Sequence, residues 1–338
     1  MSRPTIAGVA RAAGVSVASV SRVLNGLPAT EEMVERVQRA VEELGYVPDS
    51  RARSLKVGRT FQLTLAVADV GNPVYVTMMR AVEEVVSAAG YRLVVTTTGP
   101  DVVDEVALVR GMARGYADGL VISPIRVDDD LIKSIRECEV PVVVAGNVPA
   151  SAGVDTVRAN SPKGMLLAVE HLLAKGRKRI AFVNGPVDTV PGAARAKGFA
   201  DAMKANGLQP VAAVEAVDFT FAAGREAGEE LLAGRVVGGR SGTELPDAVI
   251  AANDLLAVGL MHELAAHGLA VPGDVAVIGM DDSELAEQSF PPLTSVNLGS
   301  AERGRRAAEL LLARIDDDTR TPRRIVVQPT LSVRRSTP

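Results

Sequence analysis

From residue 61 onward, short uninterrupted runs of Val, Ile, Leu and Ala recur with room for one helix between successive runs. They are "LTLAVADV" (63–70), "YRLVVTTT" (91–98), "GLVIS" (119–123), "PVVVAG" (141–146), "RIAFVNG" (179–185), "DAVIAAN" (247–253) and "DVAVIGMDD" (274–282). A strand that is apolar on both faces has to be covered on both, as in parallel sheets flanked by helices. The pattern predicts an α/β architecture. Several runs end on polar residues: Asp69, Ser123, Asn184, Asn253 and Asp281. Ligands of open α/β sheets gather beyond the carboxyl ends of the strands, so these residues mark the first place to look for a site. The 278 residues after residue 60 are more than one sheet comfortably holds. Two lobes with a cleft between them are expected.

Residues 1–60 follow another rule. In "TIAGVARAA", Ile6, Val9, Ala10 and Ala13 fall at helical spacing, and in "EEMVERVQRAVEELG" Val34, Val37, Val41 and Leu44 form one stripe closed by Gly45. Between them lies "GVSVASVSRVLNG" (14–26). Its strand-like alternation fails at Ser19 and Val20. As a helix capped by Ser16, it puts Val17, Val20, Val23 and Leu24 on one side and Ala18, Ser21, Arg22 and Asn25 on the other. That second face is small, polar and free of acids, which suits close approach to a groove. Helix, glycine turn and helix make a helix-turn-helix whose second helix enters the DNA major groove. Arg22 is then placed to read a guanine, with Ser21 and Asn25 on a phosphate or base edge. A three-helix bundle without a DNA role remains open from periodicity and charge alone.

Charge sharpens the division. Residues 1–60 carry nine Lys/Arg against six Asp/Glu, a net +3 inside a chain of net −4, so the remainder carries −7. Such asymmetry points to a nucleic-acid or membrane module joined to an acidic one. Cys138 is the only cysteine, which excludes an intrachain disulfide framework; it is read as a small buried hydrophobe. The sequence shows no secretory leader and no apolar run of membrane-spanning length, so a cytoplasmic, nucleoid-associated location is expected. Motifs for phosphate-binding loops, nucleophile elbows and zinc proteases are missing. His171, His262 and His267 lack metal-ligand spacing and are read as helix-surface residues, and "VDDDL" (127–131) is read as a helix start. No enzyme, cofactor or metal is expected. The Gly-rich "AGRVVGGRSG" (233–242) reads as a surface loop.

"TIAGVARAAGVSVASVSRVLNG" (5–26), "VQRAVEELGYVPDSRARSLK" (37–56) and "LSVRRST" (331–337) together resemble the lactose/galactose-repressor family of bacterial transcription regulators, over nearly the whole chain. Gly8 departs from the Asp frequent there, at a cost of up to about 1 kcal/mol relative to Ala. The resemblance implies a helix-turn-helix domain at 1–49, a hinge helix or linker at 50–60, and an effector and dimerisation domain at 61–338. That domain would be shaped like a periplasmic sugar-binding protein with two parallel sheets. Its first lobe is expected at about 61–160 plus 292–322, and its second at about 161–291 plus 323–338. The resemblance further implies DNA contacts by Thr5, Ser16, Val17, Ala18, Ser21, Arg22 and Asn25. In the hinge, Leu55 would wedge into the minor groove, with Arg53 and Lys56 near phosphates; a solvated linker is the plainer reading of "RARSLK". A dimer on a near-palindromic operator follows, and no leucine heptad for tetramerisation is seen.

In the larger domain the matching segments are "NPVY" (72–75), "RAKGF" (195–199), "AANDLLAVG" (251–259), "VAVIGMDD" (275–282) and "PPLTSV" (291–296). Carried over, they imply effector contacts by Asn72, Tyr75, Ser123, Asn147, Asn160, Arg195, Phe219, Asn253 and Asp281. Plainer roles stay open for three of these: Asp281 with Asp282 could cap a helix, Asn253 could be an N-cap, and Phe219 could be core. Gly146-Asn147 and Arg158-Ala159-Asn160 stand where many relatives carry carboxylates that grip sugar hydroxyls. A sugar or sugar derivative is the expected effector, a nucleobase the alternative. A solute-binding or sensory protein with an incidental basic N-terminus is the competing class.

Overall fold

The structure, a computed structural model, describes residues 4–47 apart from Asn25, 58–233 and 245–337. The chain divides into two compact units, Met1–Thr60 and Phe61–Pro338.

The first unit contains α1 (Ile6–Ala13), α2 (Val17–Leu24) and α3 (Glu31–Leu44). Thr5 caps α1 by accepting from the Gly8 N–H at 3.2 Å, and Ser16 caps α2 by accepting from the Ser19 N–H at 3.0 Å. The chain bends by 102° between α1 and α2. Val9, Ala10, Ala13, Val20, Val37 and Ala40 form the core, with Val23, Leu24 and Tyr46 packed against it. The turn depends on Gly14, whose φ of +63° is left-handed and whose missing Cβ leaves room for Arg36. From α3, Arg36 donates through Nε and Nη2 to the Ala13 carbonyl, at 2.9 and 2.6 Å, and through Nη2 to the Gly14 carbonyl at 2.9 Å. These carbonyls end α1, where a cation complements the helix dipole. One of the nine basic residues near the N-terminus is therefore engaged inside the fold. A second correction concerns Val17, placed on the inward side by periodicity but 45% exposed. As the first residue of α2 it precedes the turn that packs on α1.

In the second unit, the first lobe is built on a six-stranded sheet of order β11-β5-β4-β3-β1-β2, and the second on one of order β12-β10-β9-β8-β6-β7. The first-lobe strands are β1 (Gln62–Val67), β2 (Arg92–Thr97), β3 (Leu120–Ser123), β4 (Val142–Val144), β5 (Asp155–Ala159) and β11 (Arg324–Val327). The second-lobe strands are β6 (Ile180–Asn184), β7 (Ala212–Glu215), β8 (Ala248–Ala251), β9 (Ala276–Met280), β10 (Thr294–Asn297) and β12 (Thr330–Ser332). Every pairing is parallel except β10 with β12. The runs that form β3, β6 and β8 have no exposed residue, as strands inside parallel sheets require, whereas β2 lies at the edge of its sheet and leaves Val94 exposed.

The lobe boundaries correct the expectation. Residues 292–322 do not all belong to the first lobe, because β10 pairs with β9; nor do 323–338 all belong to the second, because β11 pairs with β5. The chain crosses after β5, between β10 and the helix that follows it, and between β11 and β12. Edge pairing sets the last two returns, β11 alongside β5 and β12 alongside β10. Asp155 anchors the return to β11: it accepts from Arg314 at 2.7 and 3.0 Å and from the Arg323 N–H at 2.7 Å.

Around the first sheet pack α4 (Pro73–Ala88), α5 (Val102–Gly111), α6 (Asp129–Arg136) and α12 (Ser300–Asp316); around the second, α7 (Ser161–Ala174), α8 (Val190–Ala205), α9 (Phe221–Leu232), α10 (Asp254–Ala266) and the short α11 (Glu284–Gln288). The "VDDDL" run does start a helix: Asp128 caps α6 by accepting from the Leu131 N–H at 2.8 Å. Cys138 is half-buried rather than buried, packed against the first-lobe cluster. His262 and His267 are exposed on or just beyond α10, while His171 is half-buried and bonded to Thr337. Except for Ala233, the Gly-rich segment lies outside the described residues.

Arg36→Ala removes three charge-assisted hydrogen bonds from the α1–α2 turn and should destabilise the first unit by about 1.5–3 kcal/mol. Hydrogen exchange of the full chain should show faster exchange at the amides of α1 and α2, with those of the second unit unchanged.

Candidate functional sites

A cavity of about 1550 Å³ lies between the two lobes, at the carboxyl ends of their strands. Eight of the nine residues named from sequence line it: Asn72, Tyr75, Ser123, Asn147, Arg195, Phe219, Asn253 and Asp281. Asn160 does not. It stands at the first crossing between lobes, where its Oδ1 accepts from the Lys163 N–H at 3.3 Å to cap α7 and its Nδ2 donates to Gln328 at 3.1 Å.

Local backbone requirements position these side chains. Asn72 caps α4, accepting from the Val74 N–H at 3.2 Å. Asn253 caps α10, accepting from the Leu256 N–H at 2.8 Å, while its amide donates to the Phe219 carbonyl at 2.9 Å. Both readings of Asn253 thus hold, since it caps a helix and lines the cavity. Phe219 also has two roles, half-buried against the second-lobe core and facing the cavity with Arg195 5.8 Å from its ring centre. Ser123 donates to the Ala145 carbonyl at 3.1 Å. Burial pushes the Tyr75 hydroxyl above its ordinary range.

Asp281 is buried in the cavity wall, and its carboxyl lies 3.5 Å from Arg195 Nη2. Burial raises its pKa against the pull of Arg195 and Arg303. It caps no helix: Ser283 begins α11, and there too no side chain accepts a cap bond. Sequence reasoning missed Arg303, which enters the cavity from the first turn of α12, and Arg126 at the rim. The "ERGRRAAE" pattern around Arg303 resembles a solvated helix face. The chain's return to the first lobe just before α12 is what brings that residue to the cavity.

In the first unit, Ser16, Val17, Ala18 and Arg22 are exposed and Ser21 is half-buried. Thr5 is exposed at the start of α1. No acid lies within α2, and the Arg22 guanidinium donates to the Pro28 carbonyl in a long bond of 3.4 Å. Asn25, Arg53, Leu55 and Lys56 lie outside the described residues.

Residues 5–49 match the family model described as bacterial regulatory proteins, lacI family, and residues 169–337 match a periplasmic binding protein-like domain. The HTH-type transcriptional regulator CelR of Thermobifida fusca is 37% identical over 99% of this chain and 98% of its own. The ribose operon repressor of Escherichia coli (strain K12) is 34% identical over 98% and 99%. A lac repressor dimer bound to operator and the anti-inducer ONPF superposes with a TM-score of 0.87 at 26% identity, covering 99% of both chains. A CelR–cellobiose complex gives a TM-score of 0.72 at 34% identity, covering 99% of this chain and 100% of the other.

Two contacts tie the lobes together beside the cavity: Arg126 donates to both carboxylate oxygens of Asp188, at 2.9 and 3.1 Å, and the Val190 N–H donates to the Ile125 carbonyl at 2.8 Å. The buried Glu105 supports this loop from below. One of its oxygens accepts from the Ile125 N–H at 3.3 Å and the other has no partner. Burial raises its pKa from 4.5 to about 7, with Asp128 raising it and Arg126 lowering it. Between those values the folded chain binds more protons than the unfolded one, so stability falls as pH rises through the window. Glu105→Gln keeps the bond to Ile125 and removes the charge. It should raise stability by about 1–3 kcal/mol at pH 8 and leave it nearly unchanged at pH 4.5, as read from denaturant midpoints at the two values.

Proposed function

The chain belongs to the lacI family of bacterial regulatory proteins, and we propose that it acts as a repressor that binds a near-palindromic operator as a homodimer, with a sugar or sugar derivative held between its lobes. It is a DNA-binding transcription regulator and not an enzyme. The cavity is the observation that supports the effector reading. Arg195, Asn253 and Asp281 offer donors and acceptors suited to ring hydroxyls, with Phe219 and Tyr75 as flat apolar contacts. Its volume exceeds the usual range for small-ligand pockets and leaves room for more than one sugar ring. A regulator of this kind works on chromosomal DNA, hence in the nucleoid.

The exposed face of α2 enters the major groove, with Arg22 on a guanine and Ser16 and Ser21 near phosphates. Arg53, Leu55 and Lys56 follow in the chain, in keeping with minor-groove contact at the operator centre. Effector in the cleft favours one arrangement of the lobes, and the change passes through the linker to operator affinity.

Operator selected from a random duplex pool should be palindromic, and its affinity should fall steeply with salt. Arg22→Ala should lose about 1–3 kcal/mol of discrimination at one base pair per half-site. Equal affinity for selected and scrambled duplexes would exclude a specific regulator and favour a solute receptor. A thermal-shift screen of sugars and nucleobases, repeated with Arg195→Ala, should show sugar-dependent stabilisation that the substitution abolishes. Stabilisation by nucleobases alone would replace the sugar assignment.

A further inference from the structure

Three ionisable side chains meet at the inner wall of the cavity. Arg195 comes from α8 and Asp281 from the end of β9, both in the second lobe, while Arg303 comes from α12 in the first. Packing fixes Arg303 in place. Its neighbour Gly304 lies so close to α4 that an added Cβ would stand 2.6 Å from the Met78 carbonyl oxygen, and this contact sets the rotation of α12.

Two guanidiniums therefore share one carboxylate, and neither is saturated by it. Arg195 reaches Asp281 only at 3.5 Å, whereas the buried Arg314–Asp155 pair in the same unit closes to 2.7 Å, within the normal charge-assisted range. Arg303 makes no ion pair with the described residues, and Asp281 is the one carboxylate that acts on it. The Nε atoms of both arginines are buried without an acceptor. Donors of this type are normally satisfied, and a guanidinium keeps its proton, so the pair offers its excess positive charge to an anionic group in the cavity. The rim supplies no such excess. Asp69, Asp101 and Asp218 stand there with Arg158 and Lys197, while Asp188 is already bound to Arg126.

We propose that the effector is an acidic sugar, whose oxyanion, a carboxylate or a phosphate, docks between Arg195 and Arg303 while Asp281 accepts from one of its hydroxyls. This rests on the cleft being the effector site and names the chemistry it selects. Planar guanidiniums match carboxylate and phosphate oxygens two at a time, and the site stands at the junction of the lobes. The anion thus ties α12 of one lobe to α8 of the other, and Arg303 is a specificity-determining residue.

The test is calorimetric titration of the full-length protein with matched neutral and acidic probes: glucose, ribose and cellobiose against gluconate, glucuronate, glucose 6-phosphate and ribose 5-phosphate, with inorganic phosphate alone as a further arm. At least one acidic sugar is expected to bind about ten-fold or more tighter than its neutral counterpart, with an affinity that weakens as salt is added. Sugar acids and sugar phosphates are separate arms, so the tighter arm identifies the oxyanion. Arg303→Gln should abolish the preference, so that acidic and neutral counterparts bind the variant within about two-fold of each other, and Arg303→Lys, which keeps the charge without the fork, should fall between. The melting temperature of each variant confirms its fold; should Arg303→Gln not fold, the wild-type panel and Arg303→Lys still decide. Neutral sugars binding as tightly as acidic ones, or an acidic preference indifferent to Arg303, would overturn the proposal and leave the sugar cleft standing. Binding of inorganic phosphate as tight as that of a sugar phosphate would overturn the sugar component. No binding by any probe would overturn both readings.

Discussion

The cleft depends on one turn. At the end of β9, Asp281 and Asp282 both adopt positive φ, 104° and 52°, a region that costs a non-glycine residue about 1–2 kcal/mol. The turn persists because its surroundings hold it on every side. The Asp281 N–H donates to Val296, and the Asp282 N–H to Ser295. Asp282 accepts from Asn297 at 3.1 Å and Ser332 at 2.7 Å and is paired with Arg334 at 2.8 Å. Beneath, the buried Asp254 accepts from Ser295 and from both the N–H and hydroxyl of Ser283, at 2.6 to 2.8 Å. Burial and the neighbouring Asp281 raise its pKa from 3.8 to about 7. With Asp282 turned toward this scaffold, Asp281 is left to face the cavity.

This dependence explains the path of the last twenty residues. The segment after β11 returns to the second lobe, where Ser336 accepts from the Thr294 N–H at 2.8 Å and donates to the Val277 carbonyl at 2.6 Å. Arg334 donates to the Leu293 carbonyl as well as pairing with Asp282. "LSVRRST" is therefore a brace under the turn that carries Asp281, formed only after the chain has crossed between lobes three times. Both lobes must fold before the site is complete, so whatever shifts one lobe against the other also changes the site.

How much of this was legible in the sequence follows from the range of each constraint. The strands, their polar ends and the helix starts at Ser16, Asp128 and Asn253 depend on residues a few positions apart, so local sequence patterns read them. Asn160 had an equally local role, but the N-cap claimed the side chain that resemblance assigned to the ligand. Arg303 and Arg36 were not readable, because each sits in a charged helical pattern that a solvated face would also show. What distinguishes them lies 22 or more positions away: the charge of Asp281 across the lobes for one, the end of α1 for the other. Val17 failed for a different reason, since at the first turn of a helix periodicity assigns a face without saying what covers it.

The two units answer the same electrostatic question in opposite ways. In the first, Arg36 is consumed by backbone carbonyls, whereas Arg22 keeps its charge on an exposed face without acids, where counterion release can drive DNA binding. In the second, acids outnumber bases along the chain, yet two arginines, each with a buried Nε, meet one aspartate in the cavity wall. A surface cation is screened by salt and gains little from any single partner, while a buried one pays for desolvation and rewards only a ligand of matching charge and shape. A regulator needs both: an outer charge that finds DNA loosely and reads it by geometry, and an inner charge that stays unsatisfied until the right small molecule arrives. The net charge of the whole chain conceals this arrangement, because it averages two surfaces with different partners.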